Sequence, residues 1–181
     1  QMNYTDGLRI IACLEQQDAI SNTVQLLIYK WKIKYAFKLK NHHLICKTYP
    51  IYETKLLEKH LFKQLKKLYF EKLVFESKSF LPIDMKLKVE SINEMDINEK
   101  AYIISMNYYY HGDYKKALES STRFHKLSYR WEVLHLLILD KLKKAKDIIN
   151  ILKYHTQTQD PLLAILVRHL SYKYLKDQNE I

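Results

Sequence analysis

Glycine and proline are scarce in this chain, and their scarcity limits the folds open to it. Among 181 residues there are two glycines and three prolines, at Gly7, Gly112, Pro50, Pro82 and Pro161. An all-β protein of this length would need more turn residues between its strands. Because 48% of the residues are hydrophobic, the chain can bury a substantial core without disulfides. The sequence therefore predicts a mostly helical protein.

Two similar segments occur in the C-terminal half, and the Lys-Lys-Ala triplets that they share lie 28 positions apart. Positions 112–118 read GDYKKAL, and positions 139–145 read LDKLKKA. Each segment follows an apolar helical stretch and precedes an amphipathic one, which is typical of the bend in a helix-turn-helix unit. Such units stack into repeat arrays that hold other macromolecules. The alignment pairs Ala117 with Ala145, and we expect both alanines to lie at close helix crossings.

Capping residues separate the helices that we expect in this half. The expected helices cover residues 98–110, 114–126, 129–139, 142–154 and 161–175. Gly112 fits the left-handed residue that ends a helix, since glycine adopts positive φ without a steric penalty. Asp113, Asp140 and Asp160 are each expected to cap the helix that follows. Pro161 suits the first turn of the last helix.

The spacing of Tyr108, Gly112, Tyr114 and Ala117 resembles that of the tetratricopeptide repeat, in which two helices approach each other closely. The resemblance implies an irregular tetratricopeptide-like α-solenoid over residues 91–181, because the 28-residue offset is shorter than the 34-residue period of that repeat. Residues 1–90 would form an N-terminal helical region that carries a basic segment. The residues expected to pack the repeats are Ser105, Tyr108, Gly112, Tyr114, Ala117, Leu142 and Ala145.

Within that superfamily, residues 98–176 most resemble the epsilon subunit of coatomer, a vesicle-coat complex. A helix ending at Tyr110 leads through a turn to Ala117 and Leu118. The apolar run 136–139 then precedes a second bend, and residues 162–164 begin a long apolar helix. The resemblance implies a cytoplasmic subunit without catalytic activity. Such a subunit would wrap around the C-terminal region of the large alpha subunit and stabilise a coat for retrieval from the Golgi.

One segment of the N-terminal half has an ambiguous period. Residues 5–27 predict one or two short helices, with a break at Ser21 and Asn22. From 28 to 39, lysines alternate with apolar residues, and this period of two indicates a strand. A turn at 41–43 would then give a β-hairpin over residues 28–52. The alternative is a helix without a clean apolar stripe.

A long amphipathic helix is expected to follow over residues 54–76. Its apolar face would contain Leu57, Leu61, Leu65, Leu68 and Tyr69, which return at helical spacing. A connector over 77–82 and a short helix over 84–92 complete this half. The lysines expected to line another face of the long helix are Lys55, Lys59, Lys63, Lys66 and Lys67.

Positive charge is concentrated in the N-terminal half. Between Lys30 and Lys72 there are twelve lysines and three glutamates, which account for nine of the ten formal positive charges. Such a zone can attract phosphate backbones, anionic lipid heads or an acidic protein. Tyrosines and Trp31 among the lysines could stack on nucleic-acid bases. We weigh this against the simpler interpretations of a solvated basic face and a packed aromatic core.

No recognisable catalytic or metal-binding pattern occurs in the sequence. The eight histidines and two cysteines lack the His-Glu-x-x-His and Cys-x-x-Cys spacings, and two glycines cannot form a phosphate-binding loop. We therefore expect a protein that is not an enzyme and that needs no metal or cofactor. Neither a secretion signal nor a membrane-spanning run is evident, so we expect a cytoplasmic protein.

The last expected helix carries more apolar residues than one buried stripe needs. A terminal repeat ordinarily presents a polar outer face, so we expect a protein partner or self-association to cover this surface. The leading prediction is a noncatalytic helical scaffold that binds a larger subunit of a complex, and the alternative is a basic helical-repeat protein that binds RNA or DNA. The residues expected to form the partner interface are Leu162, Leu163, Ile165, Leu166, Val167 and Leu170.

Overall fold

The computed structural model describes residues 3–17, 19–93, 95–124, 128–154 and 159–175, and these residues form ten α-helices and no β-strand. This confirms the prediction of a mostly helical protein. No helix in the described ranges is long and apolar enough to cross a membrane. The helices are α1 (Tyr4–Glu15), α2 (Asn22–Lys38), α3 (His42–Glu58), α4 (Phe62–Glu76), α5 (Pro82–Glu90), α6 (Ile97–Tyr110), α7 (Tyr114–Ser121), α8 (Tyr129–Lys141), α9 (Ala145–Leu152) and α10 (Pro161–Leu175).

Contacts divide the chain into two compact units, Gln1–Phe75 and Glu76–Ile181. The first unit contains α1, α2, α3 and nearly all of α4. The second unit contains α5 to α10, each of which packs on the next helix in the chain. By contact, α5 belongs with the C-terminal helices, although the expected division at residue 90 places it in the N-terminal region.

The segment with a period of two is helical, so the predicted β-hairpin over residues 28–52 is wrong. The helix α2 begins at the expected break, where the Ser21 hydroxyl accepts a hydrogen bond from the Val24 N–H at 3.4 Å. Its Tyr35 ring lies 5.7 Å from the Tyr4 ring of α1, and α3 covers another side. Because several helices surround α2, its apolar residues are distributed around the helix. That distribution produced the misleading alternation.

Gly7 allows α1 to approach α2 closely. A Cβ atom at this position would lie 2.5 Å from the Tyr35 ring, which is closer than any real contact of that kind. A glycine is therefore required unless the tyrosine moves. The same helix pair is joined at the surface by an ion pair, with Lys32 Nζ 2.7 Å from the Glu15 carboxylate.

The single long helix predicted over residues 54–76 is also wrong, because the chain turns at His60. The helix α3 ends at Glu58 and α4 begins at Phe62. The two helices run antiparallel, since Tyr49 of α3 lies against Lys72 of α4 and His42 lies against Phe75. The turn brings the leucines of α4 into the core of the first unit. This core contains Ile33, Ala36, Ile45, Tyr49, Tyr52, Leu56, Leu65 and Leu68.

Among the described residues, four helix pairs are joined by the same kind of turn. Each turn has one residue with positive φ, namely Lys40, His60, Gly112 or Lys143. The N–H of the next residue then donates to the carbonyl five positions earlier, as Asp113 donates to Tyr108, and the following helix begins one residue later. The left-handed conformation expected at Gly112 is confirmed, at φ 80°. The other three turns use lysine or histidine and carry no glycine signal.

These turns give the register of the two similar segments in the second unit. Gly112 and Lys143 occupy equivalent positions in their turns, and they lie 31 residues apart. Ala117 is then equivalent to Ile148, and both are 0% exposed. The 28-residue alignment of the sequence, which paired Ala117 with Ala145, does not match this geometry. Ala145 is the first residue of α9 and is only half-buried.

Two of the three expected aspartate caps are confirmed. Asp113 accepts from the Lys116 N–H, and Asp160 accepts from the Leu163 N–H. The expected cap at Asp140 is wrong, because α8 continues through Lys141 and Asp140 lies inside it. The helix expected over 114–126 begins at Tyr114 and ends at Ser121, and positions 125 and 126 lie outside the described residues.

Asp140 instead joins α8 to α10. Its carboxylate accepts hydrogen bonds from Lys173 Nζ at 2.6 Å and from the Tyr174 hydroxyl at 2.8 Å. Partial burial opposes ionisation, but these two hydrogen bonds more than offset it and hold the pKa of Asp140 below its usual value. The ionised carboxylate therefore stabilises the contact between the two helices.

We expect Asp140→Asn to lower stability at neutral pH by about 1 kcal/mol, at the low end for charged hydrogen bonds because Lys173 is partly solvated. A carboxyl group with a depressed folded pKa stabilises the fold above its unfolded pKa, near 3.9, and this contribution is lost as the pH falls through the folded pKa. The difference in Tm from the wild type should therefore shrink below about pH 4. Thermal unfolding at pH 7 and pH 3 measures it.

Asp147→Asn is the matched control for this experiment. Asp147 is an exposed aspartate whose carboxylate lies 3.8 Å from Lys144 Nζ. Its replacement should change Tm less than that of Asp140 at pH 7. A penalty for Asp140→Asn that is the same at pH 3 and pH 7 would contradict the assigned role of the carboxylate.

Candidate functional site

The five lysines expected to share one helix face are divided between two helices. Lys55 lies in α3 and Lys59 follows its last residue, whereas Lys63, Lys66 and Lys67 lie in α4. The turn at His60 separates the two groups, so the expected continuous stripe along one helix does not exist. Lys55 Nζ lies 5.8 Å from the centre of a tyrosine ring in α2.

Two of these lysines meet two lysines of α2 around a cleft in the first unit. Lys63 and Lys67 of α4 and Lys30 and Lys34 of α2 line a cleft of about 210 Å³. Each pair is spaced by four residues, which places its members on one face of their helix. The cleft is also lined by Ile33, Tyr52, Gln64, Leu68 and Glu71.

The cleft holds an excess of positive charge. Four of its lining residues are lysines, and one, Glu71, is acidic. None of the four lysines forms an ion pair with a carboxylate in the part of the chain that the structure describes. Lys34 Nζ lies 4.5 Å above the Trp31 ring. Like charges lining one concave surface raise the local positive potential and attract anions.

Tyr52 forms part of the cleft wall but exposes almost none of its ring. It is 3% exposed, and its hydroxyl donates a long hydrogen bond of 3.5 Å to Gln64 Oε1. Burial raises the pKa of the Tyr52 hydroxyl, and the negative charge of Glu71 raises it further. The hydroxyl is therefore protonated at neutral pH. The ring offers no face on which a ligand could stack.

The lysines of α2 were not singled out in the sequence because their segment was interpreted as a strand. In a strand, Lys30 and Lys34 would lie on the same face as Lys32. In the helix, Lys32 points elsewhere and pairs with Glu15 of α1. The spacing of four residues in both lysine pairs was visible, but only the packing of α2 with α4 brings the pairs together.

The six residues predicted to form an interface on α10 divide into two groups. Leu163, Val167 and Leu170 are buried in a core of the second unit, and Leu166 packs against it. Leu162 and Ile165 are both 66% exposed. The core that receives α10 also contains Leu136, Leu139, Ile148 and Leu152 of α8 and α9.

The exposed side of α10 carries a continuous stripe. Leu162, Ile165, His169 and Tyr172 are all exposed and are separated by three, four and three residues. This is the a/d spacing of a coiled-coil seam, which packs against a second helix. Within the described residues, α10 contacts α8 and α9 through its opposite side. The stripe is therefore the side of α10 that remains open to a further helix.

Comparison with protein-family models, with curated proteins and with solved structures finds no match.

The residues predicted to pack the repeats lie mostly around the contact of α6 with α7. Ser105 is buried and its hydroxyl donates to the Ala117 carbonyl at 2.9 Å. Tyr108 and Tyr114 are half-buried, and the Tyr114 ring contacts a neighbouring tyrosine of α6. Gly112 forms the turn between the two helices. Leu142 and Ala145 lie apart from this group, at the end of α8 and the start of α9.

A serine and a histidine are paired inside the second unit, but their geometry does not suit catalysis. Ser121 Oγ lies 3.0 Å from His135 Nδ1, and it also donates to the Leu118 carbonyl. The serine has one hydroxyl proton, and the Leu118 carbonyl and His135 Nδ1 compete for it at the same distance of 3.0 Å. Both residues are buried. No group of three metal-ligating side chains occurs among the described residues.

Proposed function

We propose that this protein is a noncatalytic helical scaffold that binds a protein partner through the exposed stripe of α10. The observation that carries the proposal is the exposure of Leu162, Ile165 and Tyr172, at 66%, 66% and 69%, in the spacing of a helix-packing seam. Isolated apolar residues are common on protein surfaces, but an ordered stripe of large ones is typical of an interface. A partner helix would cover it.

The arrangement of the second unit supports this function. Each helix from α5 to α10 packs on the next, and α8 also contacts α6 and α10. A turn of the same geometry recurs after 31 residues. Sequential packing with a recurring turn is what a stacked repeat protein needs. The finer proposal is a tetratricopeptide-like solenoid, in which α10 presents the surface for the next element.

The resemblance of residues 98–176 to the epsilon subunit of coatomer suggests the first partner to test. By that resemblance, the partner would be the C-terminal region of the large alpha subunit, and the assembly would be a vesicle coat in the cytoplasm. A second copy of this chain is the other partner that the sequence predicted. Both would use the same stripe of α10.

The double substitution Leu162→Ser/Ile165→Ser should weaken partner binding at least tenfold, because each apolar side chain buried at an interface contributes roughly 1.5–3 kcal/mol. The measurement is complex formation by size-exclusion chromatography with light scattering. The wild-type protein is tested over a range of concentrations for self-association and is mixed with the purified alpha-subunit region. A partner captured from extract would count only after reconstitution from purified components.

Ile83→Ser/Leu87→Ser is the matched control, since both residues are exposed and lie on α5. It removes similar apolar area from a different surface and should leave binding unchanged. Equal losses from both double variants would argue against a specific interface on α10. A wild-type protein that stays monomeric and forms no stoichiometric complex with any protein would contradict the proposed function.

Nucleic-acid binding remains the alternative function, and the lysine-lined cleft is the observation that favours it. The division of the basic stripe at His60 weakens this alternative, because a strand of nucleic acid needs an extended track of phosphate contacts. We expect RNA and DNA binding to be weak and independent of sequence at physiological salt. A submicromolar, sequence-selective complex would overturn the scaffold proposal.

A further inference from the structure

The cleft of the first unit has an unbalanced charge that an anion would neutralise. Four lysines, Lys30, Lys34, Lys63 and Lys67, line the cleft together with one acidic residue, Glu71. Lysine is a compact, mobile point charge with three donors, and it commonly binds phosphate oxygens. We propose that this cleft binds a compact polyphosphate group. The proposal is independent of the partner interface on α10.

The size of the cleft limits its ligand. At about 210 Å³, it is smaller than the roughly 300–1,000 Å³ that is typical of pockets for drug-sized ligands. Two or three linked or neighbouring phosphate groups suit this space, and they carry enough charge to engage lysines on both helices at once. A whole nucleotide would have to leave its base outside the cleft.

The wall of the cleft also favours phosphate over a nucleic-acid base. Proteins that hold single-stranded nucleic acid combine basic residues with exposed aromatic rings on which bases stack. The aromatic residue of this cleft, Tyr52, has its ring covered. Trp31 is nearby, but Lys34 lies above its ring and occupies that face. The cleft can therefore recognise a ligand by its charge, but it offers no ring on which a base could stack.

Substitution of Glu71 tests the proposal, because it should change the affinity in the opposite direction from loss of a lysine. Its carboxylate lines the same cleft as the four lysines and would repel a bound polyphosphate. Glu71→Gln should therefore tighten binding severalfold, whereas loss of a lysine should weaken it. A general effect of fold disruption could not raise the affinity, so the opposite signs separate a binding role from a structural one.

The probe for this site is inorganic tripolyphosphate, measured by isothermal titration calorimetry with the full chain. We expect Lys30→Gln/Lys67→Gln to raise the dissociation constant about tenfold or more, since each lysine supplies a charge-assisted hydrogen bond. All four lysines are exposed, so these variants should fold normally, as circular dichroism can verify. Binding should weaken as the salt concentration increases.

Lys38→Gln/Lys47→Gln is the matched control. Both residues are exposed lysines on α2 and α3, they lie outside the cleft lining, and their replacement makes the same change in net charge. The control should change the dissociation constant less than about twofold, because exposed charges beyond the site are screened. An equal loss in both double variants would show a diffuse electrostatic effect and would overturn the proposal.

The phosphate groups could belong to a soluble molecule or to a lipid headgroup, and a second arm separates these sources. Vesicles containing phosphatidylinositol bisphosphate are compared with vesicles of phosphatidylcholine alone in a sedimentation assay. Binding to tripolyphosphate but not to these vesicles supports a soluble ligand. Binding to both, with the same sensitivity to Lys30→Gln/Lys67→Gln, supports a headgroup.

Two further results would overturn the proposal. The first is the absence of binding to both tripolyphosphate and phosphoinositide vesicles in the wild-type protein. The second is tight binding of single-stranded RNA that is insensitive to the cleft substitutions. The Leu162→Ser/Ile165→Ser variant should bind tripolyphosphate normally, so failure of the interface on α10 and failure of the cleft can be told apart.

Discussion

Ala117→Glu is expected to destabilise the second unit by about 3–5 kcal/mol, which is the cost of an unpaired buried charge. Ala117 is fully buried where α7 packs on α6, and its carbonyl accepts hydrogen bonds from Ser105 and Ser120. A glutamate side chain would overpack this crossing and place a carboxylate among apolar residues. Urea unfolding followed by circular dichroism measures the loss.

Ala145→Glu and Ile148→Glu test the register of the repeat alongside Ala117→Glu. Ala145 is half-buried in the first turn of α9, where a negative charge interacts favourably with the helix dipole. We therefore expect its replacement to change stability by no more than about 0.5 kcal/mol. Ile148→Glu should cost about as much as Ala117→Glu, since both positions are buried and structurally equivalent.

The three variants distinguish the 31-residue register from the 28-residue alignment of the sequence. The sequence alignment implies equal, large losses at Ala117 and Ala145. The structure implies large losses at Ala117 and Ile148 and a small change at Ala145. An Ala117→Glu protein that unfolds at the same urea concentration as the wild type would disprove the burial of this position.

Asn107→Asp is expected to cost about 3–5 kcal/mol at neutral pH, because it replaces a buried hydrogen-bond donor with a buried charge. Asn107 is buried in α6, and its Nδ2 donates to the Ser77 carbonyl at 2.7 Å and to the Phe80 carbonyl at 3.0 Å. These bonds tie the segment before α5 to α6. A carboxylate would lose both bonds and would repel the two carbonyl oxygens.

The penalty of Asn107→Asp should depend on pH. Burial without donors would raise the folded pKa of the new carboxyl above its unfolded value, near 3.9. A raised acid pKa means that the folded state binds the proton more tightly, so stability falls as the pH rises between these two values. The variant should therefore recover part of its stability near pH 4.

Asn150→Asp is the control for this substitution, since Asn150 is exposed on α9. It should remain within about 0.5 kcal/mol of the wild type. Asn107→Ala should be less harmful than Asn107→Asp, because it removes the two hydrogen bonds but buries no charge. Equal stability of Asn107→Asp and the wild type at pH 7 would disprove the role assigned to the amide.

The sequence predicted the second unit better than the first because its signals there are local. Gly112 permits a left-handed turn, and Asp113 and Asp160 cap the next helix within three residues. Such signals act through the backbone of a few neighbouring residues, so they can be recognised without a tertiary structure. Asp140 looks like a cap by the same criterion, yet its carboxylate is bonded to α10.

The first unit shows why periodicity alone can fail. The alternation of lysines and apolar residues in α2 arose because this helix is contacted on several sides. A surrounded helix has apolar residues in every direction. His60 carries no sign of a turn, and its positive φ is maintained by the packing of α4 against α3. No local signal distinguishes this break from a continuous helix.

The candidate sites were also predictable only in part. The sequence identified the apolar residues of α10 and the excess of lysine, because composition and spacing are properties of one segment. Which apolar residues stay exposed depends on how α10 packs on α8 and α9, and which lysines meet depends on how α2 packs with α4.

By itself, the sequence determined the helical class, the confirmed caps and the zone that carries the charge. The tertiary structure decided the alignment of the two similar segments, the break at His60, the partners of Asp140 and the cleft shared by Lys30, Lys34, Lys63 and Lys67. The physical reason is the separation along the chain of the residues that interact. Backbone conformation and capping energies depend on adjacent residues, whereas burial and charge clustering depend on contacts between residues that are far apart in the chain.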